Sequence, residues 1–394
     1  MRILHTADWH FGRTLEGRSR LEEQAAFMDE LAAIVRDEQI DLVLVAGDVY
    51  DSVNPPAAAE RLFYEGVAQL SEGGRRPVAV IAGNHDHPDR LAASAPLAGG
   101  QGIRLVGLPA PGLLQFDIAR TGERALVYAL PYPSESRLGE LLEESMEEEA
   151  LRSAYSERIG RLVAKEAAAF RPDTVNLLMS HLYVMGGAES ESERPIQVGG
   201  AYTVDTKSLC APGVQYAALG HLHRPQTLKA KTVVRYSGSP LAYSFSEAGQ
   251  AKSVTVFDAA PGAFVEPREI WLSSGRPLVK WRAAEGLAQV RSWLDEGRDP
   301  HAWIDLEVHI AESLSLEDIH SLRKSRDGFI HIRPVYPELE AEAVRERQSS
   351  LPIDELFRRF YARQTGGAQP EPELMTLFLE LMRQEEDGGE QAGA

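Results

Sequence analysis

The chain has 394 residues, 43% hydrophobic and 25% charged, a composition that excludes a fibrous or low-complexity protein and supplies a sizeable core. Its formal net charge of −18 excludes a protein that grips nucleic acid by bulk positive charge alone, because such binding needs Lys and Arg to neutralise phosphates; metal ions, a local basic patch or a partner would have to supply the charge. The lone Cys210 excludes an intrachain disulfide and fits a reducing compartment, and the absence of a long apolar run or a signal-peptide pattern predicts a cytoplasmic protein with no membrane span.

In chain order, residues 2–6 read as a strand. Residues 21–36 place Phe27, Leu31, Ile34 and Val35 at helical spacing. Residues 41–46 (DLVLVA) and 78–82 (VAVIA) are continuous apolar runs, as expected of strands buried on both faces. Between them residues 56–70 read as a helix with prolines at its start. This β-α-β-α-β order predicts a layered α/β domain. Further strands are predicted at 103–106, 115–118 and 125–130, then a long acidic helix over roughly 136–170. Strand patterns resume at 175–180, 216–220, 232–237, 253–257 and 269–272. So many strands imply two packed sheets with helices outside.

Residues 273–277 (SSGRP) mark a predicted boundary. Beyond it, 278–282, 286–294, 303–310, 316–324 and 329–335 read as a small β-α-β-α-β unit. The expected organisation is a domain over 1–275, a small domain over 276–337, a linker over 338–350, helices within 351–385, and an acidic tail over 386–394. There is no internal repeat.

Five short patterns follow apolar strands: Asp8-Trp9-His10, Gly47-Asp48-Val49-Tyr50-Asp51, Gly83-Asn84-His85-Asp86, Ser180-His181 and Gly220-His221-Leu222-His223. Sites in open α/β sheets collect at those carboxyl ends. Asp, Asn and His are oxygen and imidazole ligands suited to Mn, Fe or Zn. In an extended segment, Asp8 and His10 would point to one side, as would His221 and His223. Asp48 has two carboxylate oxygens and could bridge two ions. Glycines before Asp48, Asn84 and His221 permit close backbone approach. Either DxH or HxH alone is a weak signal; the joint occurrence carries the argument. His5 reads as a core or supporting residue, Asp86 and His87 as loop residues with Asp86 able to orient an imidazole. His301, His309, His320 and His331 read as surface or packing residues.

The order DxH, GDxxD, GNHD, H, GHxH is the signature of the calcineurin-like metallophosphoesterases. The wording around the motifs (ILHTADWHFGR, VAGDVYDSVNPP, VIAGNHDHPDR, SHLYVMGGAESESERPIQVGG, YAALGHLHRPQ and YSGSPLAYSFSE) more closely resembles the SbcD family of bacterial nuclease subunits. The resemblance covers the chain at motif level to about Phe257 and implies an αββα sandwich with a small α/β capping domain and C-terminal helices. It implies one metal ion on Asp8, His10, Asp48 and His223, and another on Asp48, Asn84, His181 and His221, with manganese as the ion. His85 would not ligate; it would act as catalytic acid or transition-state stabiliser. Asp51 stands where archaeal and eukaryotic relatives place a histidine, which leaves open any second catalytic imidazole there.

The resemblance further implies an ATP-dependent nuclease for double-stranded ends and hairpins, working in DNA repair, recombination and replication. It would act as a homodimer joined to two chains of SbcC, a coiled-coil ATPase, in a nucleoid-associated heterotetramer. Lys280, Arg282, Arg291, Arg323, Lys324 and Arg326 of the cap are then candidate phosphate contacts or simply solvated surface. The apolar faces with Leu356, Phe357 and Phe360, and with Leu374, Leu377, Phe378 and Leu381, would dock on SbcC or pack on their own chain. Two alternatives remain: a small-molecule or protein phosphatase on the same metal core, and a scaffold without activity. Protein phosphatases typically read GDxxDRG and GNHE, unlike this chain, and a scaffold would have lost ligands that are all present here.

Overall fold

The apolar runs 41–46 and 78–82 lie side by side in the parallel part of a mixed sheet, as their double-faced hydrophobicity requires. The computed structural model describes residues 1–134, 148–194, 196, 202–310, 314–336, 353–364, 370, 372 and 374–379. They divide into two units: Met1–Trp281 with Asp299–Asp305 and Gly328–Ile330, and Arg282–Arg298 with Leu306–Asp327 and His331–Ala394.

In the first unit the strands are β1 (Arg2–Thr6), β2 (Thr14–Leu15), β3 (Arg18–Ser19), β4 (Leu42–Val45), β5 (Val78–Ile81), β6 (Ile103–Val106) and β7 (Leu114–Asp117). They continue as β8 (Arg124–Leu130), β9 (Val175–His181), β10 (Tyr216–Gly220), β11 (Gln226–Leu228), β12 (Val233–Tyr236), β13 (Ser253–Asp258) and β14 (Arg268–Trp271). One six-stranded sheet has the order β14-β13-β1-β4-β5-β6, and a second the order β11-β12-β10-β9-β8-β7. Strands β1, β4, β5 and β6 are parallel, as are β8, β9, β10 and β12. Five of these eight, β1, β4, β5, β9 and β10, end at the predicted motifs.

Side-chain alternation builds three layers of core. Leu42 and Leu44 of β4 point between the sheets, with Ile3, Ile81, Val127, Leu177, Met179 and Ala218. Val43 and Val45 point the other way, onto Phe27, Leu31 and Val35 of α1 (Leu21–Asp37) and Phe63 and Val67 of α2 (Ala57–Ser71). On the far side, Leu178, Ala217 and Leu219 pack with Tyr155, Ile159 and Val163 of the helix Glu148–Ala167. The result is the predicted αββα sandwich. Residues 135–147, where the long helix was expected to begin, lie outside the described residues. The hairpin β2–β3, the edge strand β11 and the short helices Pro88–Ala92 and Ala95–Ala98 were not predicted; they are too short for a periodic signal.

Strands β15 (Leu278–Ala283), β16 (Trp303–His309) and β17 (Phe329–Val335) form a three-stranded sheet in that order. In the second unit lie the helices Leu287–Asp295 and Leu316–Ser325. Ser315 caps the latter, its hydroxyl accepting the Asp318 N–H at 3.0 Å, with acids in its first turn and Arg323 and Lys324 in its last. Helix Ile353–Gln364 and the helical residues 374–379 meet through Phe357 and Phe378, whose rings stack at 4.0 Å. Ile353, Leu356, Phe360, Leu374 and Leu377 of these segments are exposed. The predicted linker 338–350, Leu381 and the acidic tail lie outside the described residues. No helix among the described residues is long and apolar enough to cross a membrane.

Candidate metal centre

Two loops carry the first motifs, and they zip together. Beyond β1, the backbone N–H groups of Asp8, His10 and Phe11 donate to the carbonyls of Gly47, Asp48 and Val49 at 2.9–3.0 Å. Trp9 turns away into the outer core against Phe11 and Phe27, its indole N–H on Thr6 Oγ1, and so anchors the loop. Asp86 accepts three N–H groups, from Gly83, Val49 and Tyr50, and locks the loop after β5 to the loop after β4. Burial and the charge of Asp48 push the Asp86 carboxyl up to about 7. The glycine spacing has a steric basis. A Cβ on Gly83 would lie 2.0 Å from Asp48 Oδ1, and one on Gly220 would lie 1.9 Å from the Ala46 carbonyl.

The DxH segment is not the extended one expected from its sequence: the φ angles of Asp8 and His10 are 56° and 46°. Asp48, at 50°, and His221, at 108°, share this left-handed backbone, so four of the eight such non-glycine residues among those described are predicted ligands. The side chains still converge, through strained backbone rather than strand alternation. Such strain costs of order 1–3 kcal/mol per residue and persists where surrounding contacts over-determine it.

The structure brings all seven predicted ligands together. Asp8, His10, Asp48, His181, His221 and His223 are buried, and Asn84 is half-buried. Asp48 stands in the middle: Oδ2 is 3.6 Å from His10 Nε2, and Oδ1 is 3.5 Å from His181 Nε2. On one side, His10 Nε2 faces His223 Nε2 at 3.1 Å. On the other, His181 Nδ1 donates to the Ala46 carbonyl at 2.9 Å, which leaves Nε2 as a lone pair directed at Asn84 Oδ1, also 2.9 Å away. The His221 ring lies 5.5 Å from that of His181, and its backbone N–H donates to Asp8 Oδ1 at 2.8 Å. His85 is more exposed than the buried ligands. Its Nδ1 donates to the Asp51 carbonyl at 2.7 Å, its backbone N–H binds Asp48 Oδ1, and its Nε2 lies 4.0 Å from Asp48 Oδ2.

These residues fit divalent cations. Asp8 Oδ2 and His10 Nδ1 are buried without hydrogen-bond partners, and acceptors face one another across the His181–Asn84 contact. Burial, then the charge of Asp48, holds the Asp8 carboxyl well above its usual range, while burial and neighbouring imidazoles push His10 and His221 well below theirs. Burial opposes ionisation of Asp48 too, but His181 and His85 outweigh it and hold its carboxyl low. Neutral imidazoles around crowded carboxylates are what a divalent ion requires. Ligand atoms lie within 4.8 Å of one another in three groups: Asp8, His10 and His223; Asp8, Asp48 and His181; and His10, Asp51 and His85.

Other residues at the centre were missed by sequence reasoning. Ser192 Oγ lies 2.6 Å from His223 Nδ1, and Glu193 Oε1 accepts the His223 backbone N–H at 2.8 Å. Behind them Lys252 Nζ binds the His223 carbonyl, Ser239 Oγ and the Glu247 carboxylate. Glu247 is fully buried, with Oε1 3.7 Å from His223 Nδ1. Tyr243 sets its ring against His10 and His223, at 5.3 and 5.8 Å, and its hydroxyl donates to the Trp9 carbonyl. No spacing rule links these positions to the ligands. The one signal was that several of them lie in the stretches GGAESESERP and YSFSE, whose wording carried the family resemblance. His5, as expected, is a core residue: its ring bridges the sheets between the Tyr216 hydroxyl and the Leu219 carbonyl, and burial lowers its pKa to about 3.

Comparison with known proteins accords with this geometry. The family described as calcineurin-like phosphoesterase matches residues 1–225, and that described as type 5 capsule protein repressor C-terminal domain matches residues 274–365. The SbcD component of the nuclease SbcCD from Bacillus subtilis is 57% identical over 382 residues, 97% of each chain. Its counterpart from Rhodobacter capsulatus is 39% identical over 297 residues, 71% of each chain. A solved dimetal phosphatase from Danio rerio covers 68% of this chain and 98% of its own at 13% identity and a TM-score of 0.40, a level that supports no conclusion about function. The chain therefore belongs to the SbcD family of nuclease subunits within the calcineurin-like phosphoesterases.

Proposed function

We propose that this chain cleaves DNA with two divalent metal ions, most readily manganese, as the catalytic subunit of a complex with an SbcC-type ATPase. Family membership makes it a metal-dependent nuclease, a hydrolase of phosphodiester bonds; the proposal concerns how its residues divide the work. Asp8, His10, Asp48 and His223 would hold one ion, and Asp48, Asn84, His181 and His221 the other. The observation that carries this reading is the placement of Asp48, with one oxygen toward His10 and the other toward His181. The bound ions would supply Lewis acidity, lowering the pKa of water and offsetting charge on the phosphate.

The chain's own residues do the rest. His85 keeps Nδ1 on the Asp51 carbonyl, so Nε2 is the atom turned toward the centre. There it stabilises the transition state or gives a proton to the leaving sugar oxygen. Ser192 and Glu247 hold the His223 ring, and Asp86 holds the loop of His85. The basic residues of 276–337 remain candidates for DNA contact. Arg282 and Arg291 are exposed but already paired, with Glu307 and Asp318, which weakens their case relative to Lys280, Arg323 and Lys324. The exposed apolar residues of 353–364 and 374–379 support a docking role toward the ATPase, in a complex that we read as two copies of each chain.

The phosphatase alternative is not favoured, because a nuclease component matches along 97% of the chain. The test is a nuclease assay on end-labelled duplex and hairpin DNA in manganese, magnesium or zinc, with and without the ATPase. Manganese-dependent cleavage, extended to duplex ends by the ATPase and ATP, is expected. Hydrolysis of nitrophenyl phosphodiesters with no cleavage of DNA would overturn the reading.

A further inference from the structure

Arg13 closes the stretch ILHTADWHFGR but belongs to no ligand set, yet it is built into the wall of the metal centre. Its backbone N–H donates to the His10 carbonyl at 2.9 Å, one turn beyond that ligand. Its Nη2 donates to the Ser192 carbonyl at 2.9 Å, and its guanidinium carbon lies 5.0 Å from the centre of the Tyr243 ring. The same Ser192 and Tyr243 touch His223, and Tyr243 also touches His10. The guanidinium is thus held on two sides, with its side chain 17% exposed. Its Nη1, however, is buried with no hydrogen-bond partner. The nearby carboxylate oxygen, Asp51 Oδ1, is 3.6 Å away, outside hydrogen-bond range, and lies equally 3.6 Å from His10 Nδ1.

An arginine keeps its charge when buried, and its planar fork suits a phosphate. A buried N–H left without an acceptor is costly. Here the cost falls on a side chain held against Ser192 and Tyr243, which themselves touch His223, in a chain whose net charge is −18. A residue needed only to neutralise Asp51 would close on it. We infer that the Arg13 guanidinium, whose side chain keeps 17% of its surface open, binds a non-bridging phosphate oxygen of the nucleic-acid strand at the metal centre and so positions the substrate. The inference rests on the nuclease reading and adds to it the protein group that grips the backbone.

The test compares the wild type with Arg13→Ala and Arg13→Lys on a short single-stranded oligonucleotide in manganese. Arg13→Ala should raise KM about ten-fold or more, with a smaller change in kcat, as expected for one lost charge-assisted contact. The slope of log affinity against log salt should fall by about 0.7, one phosphate contact on a single strand. Arg13→Lys should keep the slope and show an intermediate KM. Metal content should stay at the wild-type value in both; Arg13→Lys should keep the wild-type melting temperature, and Arg13→Ala, which loses the bond to the Ser192 carbonyl, should melt only slightly lower. Unchanged KM and slope would overturn the inference. So would loss of metal or of thermal stability in both variants, because Arg13 would then only pin the Ser192 loop. If the wild type fails to cleave the oligonucleotide, the nuclease reading fails instead; fluorescence anisotropy of the same oligonucleotide in calcium then still tests Arg13, and equal binding by wild type and Arg13→Ala overturns it.

Discussion

The two ends of the same sheets are built on opposite principles. At the amino ends of β1 and β4 every strong group has found a partner. The Met1 ammonium binds the Glu123 carboxylate and the Ala259 carbonyl, Arg2 makes two bonds to Asp258, and Asp41 accepts from the Arg2 backbone and the Arg120 side chain. At the carboxyl ends, a few residues away, backbone is strained at Asp8, His10 and Asp48, and Asp8 Oδ2, His10 Nδ1 and Arg13 Nη1 have no hydrogen-bond partner. One sequence segment thus leads from a satisfied end to an unsatisfied one. Local rules agree where the chain needs stability and break where it needs reactivity. The comparison predicts that damage at the carboxyl ends costs activity far more than stability, and that damage at the amino ends does the reverse.

The largest effect should come from Asp48→Ala. If Asp48 bridges, both ions are lost together, and cleavage should fall by roughly a thousand-fold or more, the scale of losing a main electrostatic stabiliser. The melting temperature without metal should change little, because the loss of the Asp48 contacts with His181 and the His85 N–H is offset by relief of the crowding it imposes on Asp8 and Asp86. Metal analysis reads this directly: His223→Ala should mainly empty one site, and equal losses in the two variants would refute the bridge. Next comes His85→Gln, expected to reduce cleavage by about 10²–10⁴-fold, the range of a general acid. Its metal content should remain that of the wild type. Metal loss in this variant would make His85 a ligand, as its proximity to His10 and Asp51 permits.

Sequence reasoning reached the sandwich because buried strands such as 41–46 and 78–82 announce themselves by apolar runs, and helices such as 21–37 by their period. It reached seven candidate ligands, which the structure gathers at one centre, because each stands within a few residues of a strand end. It missed the backbone strain, since nothing in the letters of DWH distinguishes extended from left-handed geometry. That geometry is imposed by the zipping of the two loops and by Trp9 in the outer core. It also missed the residues between 192 and 252. Ser192, Tyr243, Glu247 and Lys252 meet His223 only after the chain has crossed the sheet, and contacts at that separation have no local pattern. The short edge strand β11 escaped for a related reason: three residues, one of them buried, carry no periodicity.

Glu247 tests the part that was not legible. Glu247→Gln leaves Lys252 buried without its counter-charge and loosens the His223 ring. Support of this kind typically changes metal affinity or activity by about 10–100-fold. The loss should fall on the ion held with His223 and spare the ion held with His181, whose ring is fixed by the Ala46 carbonyl instead. Titration of the variant with manganese, followed by metal content per chain, distinguishes the two. Equal weakening of both would show that the buried pair supports the fold rather than one ligand.

The smallest effect belongs to the amino ends. Asp41→Asn keeps the size of the side chain but loses the charge that meets Arg120 and the Arg2 N–H. Arg120 is half exposed, so solvent screening limits the loss to about 1 kcal/mol. Cleavage and metal content should not change. The pH dependence has a definite sign. Burial opposes ionisation of Asp41, but Arg120 and the Arg2 N–H outweigh it and hold its carboxyl below the usual range. Folding therefore favours the ionised form. The extra stability is fully present above the unfolded value, about 3.9, and is lost as the pH falls through the lower folded value. Thermal melts of wild type and variant should differ from neutral pH down to about 4 and converge below it. A difference that instead grew in acid, or an Asp41→Asn variant that lost cleavage, would mean that the two ends of the sheets are coupled and that the division drawn between them is wrong.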